Sequence, residues 1–246
     1  MPFVHKRVAK WAFPFSARTT QAVGMTAPTM SAQRVAELRL RSSGGPLRTR
    51  VWWPHSPASG TTSGLLMFFV DTGADVADRD AAWLRDLASR AGLVVVAVSC
   101  ALIRDVAHGA CLDNAMAAIE WAADHARELE ADPGRLVVGG TGTGAALAAA
   151  AALHARDRRW PPIARQLLVQ PDFDGAGLSG LATAPDDVAP ATVVTLGEGP
   201  HRDGHEYAAR LRQSSVEVDE LHCDEPDRLV DEVARSLHAS DSAATS

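Results

Sequence analysis

Leu136-Val137-Val138-Gly139-Gly140-Thr141-Gly142-Thr143-Gly144-Ala145 runs from an apolar strand, through a turn of small residues, into an alanine-rich segment reaching about residue 156. Glycine-rich turns between a strand and a helix serve two chemistries. They tolerate the sharp, strained turn that presents a nucleophile, and they let phosphate approach the backbone at a helix N-terminus. Either way the stretch is one strand–turn–helix unit. In open parallel sheets, ligands sit outside the carboxyl ends of the strands, so this turn is where a site is expected.

The same alternation extends outward. Residues 65–70 and 93–98 are unbroken apolar runs, as strands buried on both faces are. Residues 35–41 and 49–53 read as two strands joined by the turn Ser42-Ser43-Gly44-Gly45-Pro46. Helices are expected at about 78–91, 112–130 and 144–156, with Asp132-Pro133-Gly134 stopping the second before a strand at 136–138. Further on, strands at 166–169, 192–196 and 216–221 alternate with helices at about 203–213 and 227–239. This order implies an α/β chain with a doubly wound, mostly parallel sheet and helices on both faces. Residues 35–239 read as that domain, 1–34 as a basic arm or cap helix, and 240–246 as a flexible tail.

Composition narrows the function classes. The chain has 246 residues, 46% apolar and 22% charged, with a formal charge of −6. It carries 45 Ala and 22 Arg but only two lysines, Lys6 and Lys10. The acidic balance argues against nucleic acid as a partner. No apolar run is long enough to span a bilayer. Cys100, Cys111 and Cys223 form neither a disulfide framework nor a metal motif. With no signal-peptide core either, a cytoplasmic location is expected. The first 36 residues hold five cations and no acid, and Phe3, Val4, Val8, Trp11 and Phe15 would fall roughly on one face if this segment were a helix. An arm packed over the domain's mouth is the preferred reading, with weak membrane-surface contact the alternative.

From about residue 35 to 237 the chain resembles the hormone-sensitive-lipase branch of the α/β-hydrolases, which includes bacterial acetyl esterases and arylesterases. The resemblance rests on five segments: Arg50-Val51-Trp52-Trp53-Pro54, Asp113-Asn114-Ala115 through Trp121, Asp132-Pro133-Gly134-Arg135-Leu136, Leu167-Leu168-Val169-Gln170-Pro171, and Arg202-Asp203 with Tyr207-Ala208. It implies the α/β-hydrolase fold and a serine ester-hydrolase ancestry. The functional positions depart from the family pattern. Gly140 and Gly144 flank position 142, where the family has serine and this chain has Gly142. Neither Thr141 nor Thr143 has glycines two residues away on both sides, and a glycine offers no nucleophilic oxygen. Val70-Asp71-Thr72-Gly73 replaces the oxyanion loop His-Gly-Gly-Gly, and a carboxylate there would repel a developing oxyanion. The family's acid aligns with Gly199, and its histidine aligns near Pro226, in the loop 224–227. His222 lies four residues too early. The pocket-shaping helices before the strand at 192 are reduced to a Gly/Ala/Pro-rich loop, implying a reduced cap.

These departures imply a pseudoenzyme that binds a small molecule or a protein partner in the inherited cleft, without cofactor or metal. Asp71, Thr72, Gly73, Thr141, Gly142 and Thr143 are the candidate ligand-binding residues. The alternative is an active enzyme: an ester hydrolase with a different nucleophile, or a lyase or cyclase assisted by Asp71 and Asp75. Two other motifs weigh less. Asp71-Thr72-Gly73 copies an aspartic-protease signature, but such a site needs a second carboxylate loop that this chain lacks. Gly140-x-Gly142-x-x-Ala145 fits a dinucleotide fingerprint, with Asp172 as the ribose acid, but that acid lies farther along than the usual spacing. Of the nine histidines, only His201 and His205 share metal-ligand spacing, and they fall at a loop–helix junction, where solvent-exposed roles are expected.

Overall fold

The computed structural model describes residues 33–42, 45–55, 62–70, 78–99, 108–174, 185–197, 202–223 and 226–243. The strands are β1 (Val35–Ser42), β2 (Gly45–Trp52), β3 (Ser63–Val70), β4 (Leu93–Ser99), β5 (Ala131–Thr141), β6 (Arg165–Val169), β7 (Ala191–Leu196) and β8 (Val218–Cys223). The helices are α1 (Asp78–Arg90), α2 (His108–Asp124), α3 (Thr143–Arg158), α4 (Arg202–Gln213) and α5 (Pro226–Ala243). All eight strands form one sheet in the order β1-β2-β4-β3-β5-β6-β7-β8. β2 is antiparallel to both β1 and β4, and the pairs from β4 to β8 are parallel. The carboxyl ends of β3 to β8 therefore share one edge.

Alternation along the central strands explains the unbroken apolar runs. In β3, Leu65, Met67 and Phe69 enter one core cluster while Leu66, Phe68 and Val70 enter the other. In β4, Val94, Val96 and Val98 face the first, and Leu93, Val95 and Ala97 face the second. With both faces covered, no position needs a polar residue. α2, α3 and α4 pack on the first face, and α1 and α5 on the second. α3 is buried nearly all round, which its alanines permit by letting the helix lie close over the sheet. α4 is buried on one side only, through Gly204, Tyr207, Ala208 and Leu211, the spacing of an amphipathic helix.

Several boundaries differ from expectation, each for a local reason. α2 ends at Asp124, and turns carry the chain to Glu130, whose left-handed backbone (φ 62°) closes the segment. The Ala131 N–H then donates to the Ala126 carbonyl at 2.8 Å, a glycine-type helix ending made without glycine. Asp132-Pro133-Gly134 is thus not the helix stop. It lies inside β5, where the register shifts and Asp132 Oδ1 accepts the Gly134 N–H at 2.8 Å. Gly45 and Pro46 belong to β2 instead of the turn, with Gly45 pairing Ser42. β8 starts at Val218, two residues late, because the Val216 N–H still closes the end of α4 on the Leu211 carbonyl. α5 continues to Ala243, four residues into the segment expected as a tail.

At the opposite edge from the strands' carboxyl ends, Arg165 opens β6 with its side chain 3% exposed. It reaches Thr192 Oγ1 at 2.8 Å, Glu217 at 3.3 Å and Asp219 at 2.5 Å. Ser236 of α5 joins the same network through Thr192 and Asp219. A buried guanidinium is tolerable because its N–H groups find these acceptors. The network ties β6, β7, β8 and α5 together.

Candidate functional site

The turn that decides the fold is also the sharpest feature of the sheet's carboxyl edge. Gly142 sits between β5 and α3 with φ 55° and ψ −123°, a conformation that L side chains rarely adopt and glycine adopts freely. Both of its backbone groups are engaged. Its N–H donates to the Val169 carbonyl at 3.0 Å. Its carbonyl accepts the N–H groups of Ala145 (3.1 Å), Ala146 (3.3 Å) and Asp172 (3.0 Å). Gly142 is therefore held from the end of β6 as well as from its own helix.

The flanking glycines are required by contact. A Cβ on Gly140 would lie 2.4 Å from the Gly144 backbone and 2.6 Å from the Phe69 carbonyl oxygen, and one on Gly139 would lie 2.6 Å from the Leu167 carbonyl oxygen. Close approach of the neighbouring strands thus accounts for Gly139, contact with the start of α3 and with β3 accounts for Gly140, and the turn itself accounts for Gly142. Thr143 is buried in the first turn of α3 and Thr141 is half-buried at the end of β5. These two and Gly142 are brought together by one turn.

The remaining sequence candidates are placed less fully. Asp71, Thr72, Gly73, Asp75 and Gly199 lie outside the described residues, as do Cys100 and His201. Pro226 is not in a loop as expected: it opens α5, a first-turn position that suits its fixed φ and missing N–H. His205 lies on α4, where its Nδ1 is 2.8 Å from Glu220 of β8. Burial alone would raise the Glu220 carboxyl, but hydrogen bonds from His205 and Arg212 outweigh it and hold the carboxyl below the usual range. No group of three or more potential metal ligands occurs among the described residues. Nor is any described helix long and apolar enough to cross a membrane.

Beside the Gly142 turn lies a cleft of about 320 Å³, walled by the ends of β6 and β7 and the start of α4. Its lining is mainly polar: Gln170, Asp172, Asp174, Thr195, Arg202 and Asp203 all contribute. Asp203 Oδ2 accepts the Phe173 N–H at 2.8 Å, fixing the chain after β6 against α4. Gln170 Nε2 donates to the Leu196 carbonyl at 3.2 Å. Asp172 links cleft and turn, since its own N–H is bonded to Gly142.

One pair in this region went unseen in the sequence. Thr195 and His222 are register partners on β7 and β8. Thr195 Oγ1 lies 3.0 Å from His222 Nδ1 and 3.4 Å from the Leu221 carbonyl oxygen. The residues are 27 apart in the chain, and only the parallel pairing of two strands makes them neighbours. The available signal was that both stand near strand ends, which does not fix register.

Comparison with known proteins finds similarity to proteins of the α/β-hydrolase fold. A family model described as the α/β hydrolase fold matches residues 69–187. The chain is 34% identical to esterase LipI of Mycobacterium tuberculosis over 140 residues, covering 56% of this chain and 44% of that protein. It is 27% identical over 232 residues to the carboxylic ester hydrolase LipN of the same organism, covering 75% of this chain and 61% of the relative. The chain thus spans about half the length of the curated relatives it matches. An esterase from Pyrobaculum calidifontis superposes with a TM-score of 0.72 over 84% of this chain and 85% of its own, at 23% identity.

Proposed function

We propose that this chain, an α/β-hydrolase-fold protein with esterase homologues, has lost serine-type ester hydrolysis and uses the cleft at the carboxyl edge of its sheet to bind a small molecule. One observation carries the reading. The residue between β5 and α3 has the backbone geometry of a nucleophile-presenting turn, yet it is Gly142 and has no side-chain atom with which to attack. Retention of the turn without the nucleophile fits selection for shape over chemistry.

Other features support the same reading. Gly199 and Pro226 stand at the positions that the family resemblance assigns to acid and base, and neither side chain titrates. Asp71 stands where the oxyanion loop is expected. Among the described residues the cleft's lining is mainly polar, which offers a small polar ligand donors and acceptors.

The reading is tested by a thermal-unfolding screen of the full chain against short-chain esters and their product acids and alcohols. At a ligand concentration 100 times Kd, binding adds about 2.7 kcal/mol, which for a chain of this size raises Tm by roughly 5–10 °C. A shift of that order with the ligand recovered unchanged is the expected result. Sustained conversion of the ester to its products would overturn the loss of hydrolysis.

A further inference from the structure

We propose that Thr195 and His222 form a hydroxyl–imidazole pair that accepts one acyl group from a small activated ester. This goes beyond ligand binding and does not use the Gly142 turn. Three observations converge on it. The Thr195 hydroxyl is 3.0 Å from His222 Nδ1, within reach of direct proton transfer. Thr195 is only 4% exposed, so its neighbours hold the side chain in place. It nevertheless lines the cleft, where a bound carbonyl would meet it. Arg202, ion-paired with Glu206 at 2.7 Å, lines the same cleft beside Asp172, Asp174 and Asp203.

The step balances without a cofactor. Thr195 Oγ1 forms a bond to the ester carbonyl carbon as its proton passes to His222 Nδ1. Collapse of the tetrahedral adduct breaks the bond to the leaving oxygen, and His222 returns the proton to that oxygen or to solvent. The product is acyl-Thr195 and a free alcohol or phenol. That acyl group is then in an ordinary alkyl ester, far less activated than an aryl ester donor, so it accumulates.

The test treats the full chain with p-nitrophenyl acetate, followed by intact-mass measurement and peptide mapping. One acetyl group per chain is expected, on the peptide carrying Thr195, with one equivalent of nitrophenolate released. Thr195→Val should abolish this label. His222→Gln, a change at an exposed position, should slow labelling about 100-fold. Circular dichroism shows whether each variant is folded, and the exposed histidine keeps the test decisive should Thr195→Val unfold. Label found only on Lys6, Lys10, Cys111 or Cys223, or an unchanged rate in His222→Gln, would overturn the proposal. Turnover beyond one equivalent that vanishes in Thr195→Val would overturn binding-only function while leaving the acyl transfer standing. Turnover that survives in Thr195→Val, with no label on Thr195, would overturn both.

Discussion

At the scale of single residues, two glycines within three positions do different work. Gly142 is needed for its backbone, with φ 55°, whereas Gly140 is needed for space against Gly144 and Phe69. Gly140→Ala forces a methyl group into backbone atoms that cannot rotate away, and should cost about 3 kcal/mol of stability, read by urea unfolding. Tyr207, the chain's single tyrosine, offers a second residue-level check. Burial pushes its phenol up from the ordinary range, while its O–H donates to Gln166 Oε1 at 3.1 Å. A raised value in the folded state means that stability from the neutral phenol is intact below about pH 10 and lost as pH rises further. At about pH 11, one unit above the ordinary phenol value, the tyrosinate band should stay absent while native circular dichroism persists. Tyrosinate appearing before unfolding would contradict that burial.

At the scale of elements, charged contacts link the edge strand β8 to α4. Glu220 receives His205 and Arg212, and its carboxyl is held below the ordinary value of 4.5. The associated stability is present above that value and lost as pH falls through the lower folded one. Glu220→Gln should therefore lose about 0.5–1 kcal/mol at neutral pH and show a shallower decline below about pH 4.5. Acid titrations of both proteins by fluorescence would reveal parallel curves if the links contribute nothing. The elements were legible wherever both faces of a strand are buried, as in β3 and β4, because an unbroken apolar run is visible in one dimension. They were misread where a backbone feature replaced a sequence signal. The left-handed Glu130 ends the α2 segment with no glycine or proline to announce it, and the proline of Asp132-Pro133-Gly134 is accommodated at a register shift inside β5.

For the whole molecule, the mostly parallel sheet and its single carboxyl edge follow from alternating strands and helices, and the site's location follows from the edge. The Gly142 turn was legible because its chemistry lies within ten consecutive residues. The cleft was not, since Gln170, Thr195 and Arg202 come from three segments that only the sheet brings together. Thr195 and His222 escaped for the same reason. On the reading proposed above, the Gly142 turn keeps its backbone form without a side-chain oxygen to attack with. The most direct measurement is p-nitrophenyl acetate release by the unmodified, repurified chain, followed for many equivalents beside a blank. Release should end at no more than one equivalent per chain. Steady release well beyond one equivalent, reproduced after repurification, would contradict the loss of ester hydrolysis.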